Sequence, residues 1–584
     1  MRHCFTLLLL GLSFILPAQN SIRVNMPFLQ DDRTSASYPE VIRLYEQLDS
    51  LHEALAVRTY GDTDAGFPLH LAILSIDGDF DPVSLRKKGK RILFINNAIH
   101  PGEPCGVDAT MMLLQDYLLD PARREALENV VVIAIPFYNI GGGLNRGSFS
   151  RANQEGPIEY GFRGNARNLD LNRDFIKCDS RNARTFNQIF QEWQPDVFVD
   201  NHTSNGADYQ YTMTLIASHP AKLAPPLAGY LNDHLLPDLY RGMAKRGWEM
   251  TPYVNVDGTP DEGIYGFLDL PRYSTGYAAL HQCIGFTPET HMLKPYRDRV
   301  WSAYHLMDEL IQIIARDADQ IGRVRTEARE GVRRQSAFDL NWELDREKAD
   351  TLLFKGYEAA YRPSEVSGKD RLYYDRSRPF TRKIPYFNNY RATLSVQKPF
   401  AYLLPQAYAE VAERLRWNGV ELHRLEEDVT LEVEQYYIES YETSRGPYEG
   451  HYLHYQVELR PVVREWTYRK GDYLIYADQT ANAYLVSVLE PQAPDSYFAW
   501  NFFDGILMQK EYFSSYVFED IAADLLRQDP ALRRELEARK AADPQFAENA
   551  RAQLDFVYKR SPYYEPTHDL YPVGRILEPV RLGK

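Results

Sequence analysis

The chain has 584 residues, 44% of them hydrophobic and 25% charged, and a formal net charge of −15 at pH 7. That length exceeds what one hydrophobic core usually holds, so two to four domains are expected. The excess of acid argues against nucleic acid or an anionic membrane surface as a partner.

Residues 1–18, MRHCFTLLLLGLSFILPA, combine a short basic start, an apolar run and a small residue before Gln19. This is the make-up of a secretory signal peptide, and it predicts a secreted or periplasmic protein. The run is too short for a membrane span, and no later segment reaches the roughly 18 uninterrupted apolar residues that a span requires. Cys4 lies too near the start to be a lipid-anchoring cysteine. With the leader removed, Cys105, Cys178 and Cys283 remain, an odd and sparse set that argues against a disulfide framework. Too few residues separate Gln19 from the first chemical motif to fold alone over a cleft, so no pro-domain is expected.

That motif lies in RILFINNAIHPGEPCGVDATMMLLQDYLL, which reads as a buried strand over 91–96, a short loop, and a helix whose Val107, Met111, Leu114 and Leu118 recur at helical spacing. His100 and Glu103 fall in the loop at i and i+3, where they can point the same way, and the carboxyl end of a strand is where open α/β sheets place their ligands. QPDVFVDNHTSNG repeats the arrangement, with an apolar strand running to His202. Two imidazoles and one carboxylate form a catalytic rather than a structural zinc set, because three protein ligands leave the fourth position open for water. A His-x-x-Glu pair alone is more often a surface coincidence. Two further segments weigh against that: NARNLDLNRDF, with Asp170, Asn172 and Arg173, and GFTPETHMLKPY, with Glu289 behind another short apolar run.

Taken in order, HPGE, DLNRDF, a strand-borne His and a late Glu in FTPE resemble the zinc carboxypeptidase A family of metallocarboxypeptidases. The resemblance covers roughly residues 35 to 320. It implies that His100, Glu103 and His202 bind one zinc ion per chain and that Asn172 and Arg173 capture a substrate's terminal carboxylate, for which arginine's planar fork is suited. It implies that Asp170 holds His100 by its other ring nitrogen and that Glu289 is the general base. It also implies an arginine for the oxyanion, for which Arg151 is preferred over Arg146, and a tyrosine that closes over the substrate, for which Tyr265 is chosen ahead of Tyr273 and Tyr277. Departures matter too. Gly102 stands where digestive members carry a substrate-binding arginine, and the pocket for the substrate side chain falls within LPRYSTGYAALHQ, where Arg272, Ser274 and Thr275 are the candidates to face it; an exposed Arg272 would favour acidic residues, or be an ordinary surface charge. His281 and His291 read as structural or solvent-facing; His291 would share a strand face with Glu289 if the strand continued and is the one rival metal ligand to test.

From about residue 330 the chain becomes rich in tyrosine and in period-2 runs such as VTLEVEQYYIESYE and HYLHYQVELRPVVREWTYRKG, which predict strands. PQAYAEVAERLRWNG predicts one amphipathic helix ending at Gly419. The aromatics of SYFAWNFFDG fit a core better than a groove, and residues 518–558 predict charged, solvated helices. The expected organisation is a signal peptide at 1–18, a catalytic domain at 19–325 and a β-rich accessory domain with terminal helices at 326–584. The expected fold is α/β, a mixed twisted sheet flanked by helices. The expected activity is a zinc-dependent metallocarboxypeptidase acting on peptide or protein C-termini, without nucleic acid or a membrane span; the same donor set also accepts cobalt or manganese. The alternatives are an N-acyl amino acid deacylase of the aspartoacylase and succinylglutamate desuccinylase type, a peptidoglycan stem-peptide carboxypeptidase, and an inactive peptide- or glycan-binding relative.

Overall fold

A computed structural model describes residues 23–580; the expected leader, with Cys4, lies outside them. Its centre is a nine-stranded mixed sheet. The strands run in the order Leu55–Asp62, Pro68–Leu74, Val130–Ile135, Arg91–Asn96, Val197–Asp200, Ile284–His291, Met213–Ala217 and Met250–Pro252, and His202–Ser204 pairs with Ile284–His291. The four strands from Val130–Ile135 to Ile284–His291 run parallel, while the first two and Met213–Ala217 join their inner neighbours antiparallel.

The central strands read as unbroken apolar runs because both faces are covered. Leu93, Ile95, Val132 and Val199 point to one side, against the helices Tyr38–Leu51, Cys105–Leu119 and Tyr296–Arg316. Ile92, Phe94, Ile133 and Phe198 point to the other, against Arg181–Trp193 and Ser274–Leu280. On that face Phe94 stacks on Phe186 with ring centroids 5.4 Å apart. Each such fully buried side chain contributes about 1.5–3 kcal/mol. Sequence-local signals set the helix ends. Ser37 and Glu40 form a capping box, and Ser180 caps Arg181–Trp193, which stops at a left-handed Gln194 (φ 42°).

Beyond the sheet, the helix Ala318–Arg334 runs through position 325 without a break. A ribbon of Asp350–Pro363 and Asp370–Phe387 follows, and its second strand pairs with Ile264–Tyr265 of the first half. A six-stranded sheet is built from His423–Arg424, Tyr473–Tyr476, Ala401–Leu404, Gly574–Ile576, Val429–Thr443 and His454–Tyr468 in that order. The predicted helix appears as Ala409–Trp417, with Gly419 at φ 77°. Tyr497, Phe498, Trp500 and Phe503 are fully buried in the same apolar cluster as Phe94 and Phe198. They fill a core shared by both halves and line no groove. Four helices between Ser515 and Tyr558 form a separate small cluster. Cys105, Cys178 and Cys283 are buried and free, and no helix among the described residues is long and apolar enough to cross a membrane.

Candidate active site

The strand Arg91–Asn96 ends in a loop whose tight turn, with the Glu103 N–H donating to His100 O at 2.8 Å, puts both side chains on one side. His202 opens the short strand beside it and pairs in register with Glu289. His100, Glu103 and His202 therefore converge, all buried, with one ligand atom from each within 4.8 Å of the others. The Nδ1 atoms of His100 and His202 face the two Glu103 oxygens at 3.1 and 3.3 Å. Their Nε2 atoms point away, to Asp170 Oδ1 and Asp200 Oδ2, both at 2.9 Å. Each carboxylate fixes the tautomer that leaves the Nδ1 lone pair free, and His100 Nδ1 is buried without a hydrogen-bond partner. Two such nitrogens and a carboxylate suit a divalent cation such as zinc.

Electrostatics follow from this crowding. Burial opposes ionisation of Glu103, yet the His100 ring and the Arg151 guanidinium hold its carboxyl well below the usual range. Burial likewise disfavours a charged His202, but Asp200 outweighs it and raises the imidazole well above its ordinary value. At Glu289 burial prevails: it outweighs the nearby His202 and Arg163 and, with the Glu103 charge adding to it, pushes the carboxyl up to about 8. All four residues line one cleft of about 700 Å³, together with Arg151, Arg163, Asn172, Arg173, Asp269 and Tyr273.

No family model matches the chain. It is 22% identical to carboxypeptidase 2 of Trichophyton tonsurans over 423 residues, 69% of this chain and 72% of that protein. Carboxypeptidase 2 of Trichophyton rubrum is 22% identical over 425 residues, again 69% and 72%. The chain is thus similar to proteins named carboxypeptidases over about two thirds of its length. A metallo-carboxypeptidase from Pseudomonas aeruginosa, solved with (2-guanidinoethylmercapto)succinic acid, superposes with a TM-score of 0.37 at 17% identity, over 49% of this chain and 70% of that one.

The residues singled out from the sequence separate into those at the cleft and those elsewhere. Asn172 and Arg173 lie on the short 3₁₀ turn that Asp170 caps by accepting from the Asn172 N–H. Arg173 lies over the Tyr273 ring at 4.4 Å, and the Asn172 side-chain oxygen is buried without a partner. Arg151 donates to Glu103 Oε1 at 2.6 Å, and any side chain at Gly102 would collide with its guanidinium. The departure at Gly102 thus makes room for Arg151. Arg146 bonds to Ser35 and does not line the cleft.

The structure places the other candidates away from the cleft. Tyr265 is not among the cleft-lining residues: it stacks on Phe387 at 5.3 Å beneath Arg346, and Tyr253 and Tyr273 line the cleft instead. Tyr277, the third candidate, is fully buried and donates to Asn418. Arg272 is paired with Asp495 at 2.8 Å and covered by Trp500 and Tyr448, so it faces no substrate. His291 is bonded through Nε2 to Ala207 O and through Nδ1 to the Leu293 N–H, away from the ligand set.

Three contributors escaped the sequence reading. Asp200 was signalled by its position two residues before His202. Arg163, which reaches Asp170 at 2.9 Å and Glu103 at 3.6 Å, lies in an irregular loop with no periodicity to orient it. Asp269 precedes the predicted pocket segment by one residue.

Proposed function

We propose that this protein is a zinc-dependent carboxypeptidase that hydrolyses the last amide bond of peptides and proteins. The observation that carries the reading is a single cleft presenting the His–Glu–His set, the buried Glu289 carboxyl and the Asn172–Arg173 pair together. His100 and His202, through Nδ1, and Glu103 would hold one zinc ion. Zinc there supplies Lewis acidity toward the scissile carbonyl and lowers the pKa of water toward about 7.

The chain's own residues do the rest. Glu289 takes a proton from the attacking water and returns it to the leaving amine; a carboxyl pushed up to about 8 can accept and release a proton near neutral pH. Arg151, with Arg163 beside it, supplies positive charge to the oxygen that becomes an oxyanion. The Arg173 guanidinium, steadied on the Tyr273 ring, and the Asn172 amide receive the terminal carboxylate, which limits attack to the last bond. Asp170 and Asp200 orient the two imidazoles. In this reading residues 19–325 carry the chemistry, 326–584 form the accessory unit, and the leader-like start directs the protein out of the cytoplasm.

The test is mass-spectrometric digestion of a mixed peptide library by zinc-loaded protein, beside a Glu289→Gln control and a C-terminally amidated copy of the library. Stepwise loss of C-terminal residues, absent in the control and blocked by amidation, is the expected result. Hydrolysis of acylated amino acids or cell-wall fragments with no cleavage of free peptides would overturn it.

A further inference from the structure

The central parallel strands deliver their carboxyl ends to the cleft, and at their other ends the molecule holds a second cavity, of about 580 Å³. Arg91, which opens the strand Arg91–Asn96, and Asp196, just before Val197–Asp200, mark that edge of the sheet. Arg86 enters from the helix Pro82–Lys87, and Arg323, Arg325 and Arg329 from Ala318–Arg334. Five arginines thus line one space, on a chain whose net charge is −15.

Their partners within the chain neutralise little of this charge. Asp196 accepts from Arg325 at 3.1 Å and lies 3.7 Å from Arg91, and its second oxygen is taken by the Ile92 N–H. Asp319 and Glu327, the other carboxylates of the lining, are exposed, and among the described residues Asp196 alone pairs with any of the five. Arg86 donates to the Trp193 carbonyl at 2.9 Å. Arg329 donates to the Gln194 side-chain oxygen at 2.9 Å and to the Thr480 hydroxyl at 3.2 Å, so these acceptors are all uncharged. Gly322 leaves room for the Arg91 guanidinium, which a Cβ there would approach to 2.7 Å.

Like charges crowded away from water destabilise one another. Burial, then the charges of Arg325 and Arg86, lower the Arg329 pKa to about 10, and burial with the Arg325 charge lowers that of Arg86. Such a cluster is relieved by an anion held in charge-assisted hydrogen bonds. The arginines come from two helices and a strand end, which suits oxygens set tetrahedrally about one centre better than the coplanar pair of a carboxylate. The volume is also that of an ordinary ligand pocket.

We propose that this cavity is a phosphate-binding site that takes inorganic phosphate or the phosphate group of a small monoester, with Arg86, Arg323 and Arg329 as its donors. The site is separate from the cleft and does not depend on the carboxypeptidase reading. Because Arg329 also holds Thr480, occupancy braces the joint between the two halves of the chain.

The experiment titrates the zinc-loaded full chain with inorganic phosphate, with glycerol 2-phosphate and with sodium chloride at matched ionic strength, reading binding by calorimetry and the melting temperature. Either phosphate should raise the melting temperature by about 1–4 °C near saturation, with no rise in chloride. Tighter binding of the ester assigns the site to a monoester and tighter binding of inorganic phosphate to the free ion; both uphold it. Arg86→Gln combined with Arg329→Gln should weaken binding at least about tenfold, and Arg323→Gln, at an exposed position, by about three- to tenfold. An equal rise in chloride would overturn the assignment. So would wild-type phosphate affinity in both variants, which would place the anion elsewhere, as on Arg173. If the double variant does not fold, Arg323→Gln and the salt comparison decide.

Discussion

The two halves of the molecule share one apolar core but divide the polar work unequally. The first half gathers its charges in a ring about the cleft, with the buried or half-buried Glu103, Asp170, Asp200 and Arg151 and the more exposed Arg163 each bonded to a neighbour in that ring. No described residue of the second half lines the cleft. It instead reaches the cleft wall from behind at two points: Glu449 accepts from the Asp170 N–H at 2.7 Å, and Asp495 holds Arg272. The half without a chemical motif thus supplies outer partners to residues that flank the chemistry. Support of this kind is how a site is held to the sub-ångström placement that reactions require.

The sharpest way to test the division is to remove a group from each half and see which property falls. Glu289→Gln should lower kcat by about 1,000-fold, because the amide cannot take the proton. Metal content and melting temperature should hold, as measured by atomic absorption and calorimetry. A comparable loss of metal would place Glu289 among the ligands and break the distinction between holding and reacting groups.

Arg272→Ala belongs to the other class. It leaves Asp495 buried and unpaired and removes the cation over Trp500 and Tyr448, so thermal or denaturant unfolding should show a loss of about 3 kcal/mol. Removing both partners as Arg272→Met with Asp495→Leu should recover much of that loss. A single variant of unchanged stability would mean that the contact between the halves is incidental.

What was legible beforehand follows the same division. His100, Glu103, His202 and Glu289 could be picked out because each ends or follows an apolar strand, and parallel strands deliver their carboxyl ends to one edge. Asp200 was readable in principle, since residues two apart in a strand share a face. Arg163 and Tyr265 were not. The first lies in a loop where no period assigns direction. The second is drawn aside by pairing between Ile264–Tyr265 and residues 386–387, more than a hundred positions away. The alternating runs of the second half predicted its strands, but not that Trp500 and Phe498 would join the apolar core that holds Phe94. Alternation reports that one face is covered and is silent about what covers it.

The junction between the halves should also carry a pH signature. His281 is half-buried where Ser274–Leu280 meets the second half, with its ring stacked on Tyr484 at 5.5 Å. Burial first, then the charges of Arg329 and Arg325, lower its pKa to about 3. The unfolded chain, with a pKa near 6.5, binds a proton that the folded chain refuses. Its contribution to stability is therefore complete above pH 6.5 and declines as pH falls toward 3. At pH 5 the loss from this residue is about 2 kcal/mol. His281→Gln should flatten the acid limb of a stability-versus-pH curve by that order, and an unchanged limb would exclude His281 as its source.

The smallest expected effect bears most directly on what the second half does for the first. Glu449, held at φ 50° in the turn between Val429–Thr443 and His454–Tyr468, makes one bond to the Asp170 main chain. Asp170 in turn accepts from the Asn172 N–H and holds His100 Nε2. Loss of the Glu449 carboxylate touches no proposed metal ligand or substrate contact, yet it frees the segment that orients one imidazole and the carboxylate-binding pair. Glu449→Ala should weaken zinc affinity and raise KM by about tenfold each, the size of effect that outer partners of metal ligands usually have. Glu449→Gln, which keeps an accepting oxygen, should restore most of both. A merely structural role would lower the melting temperature and leave metal titration and KM at wild-type values in the protein that remains folded. Metal affinity and KM moving together, with rescue by glutamine, would instead show that the accessory half helps to build the active site from outside it.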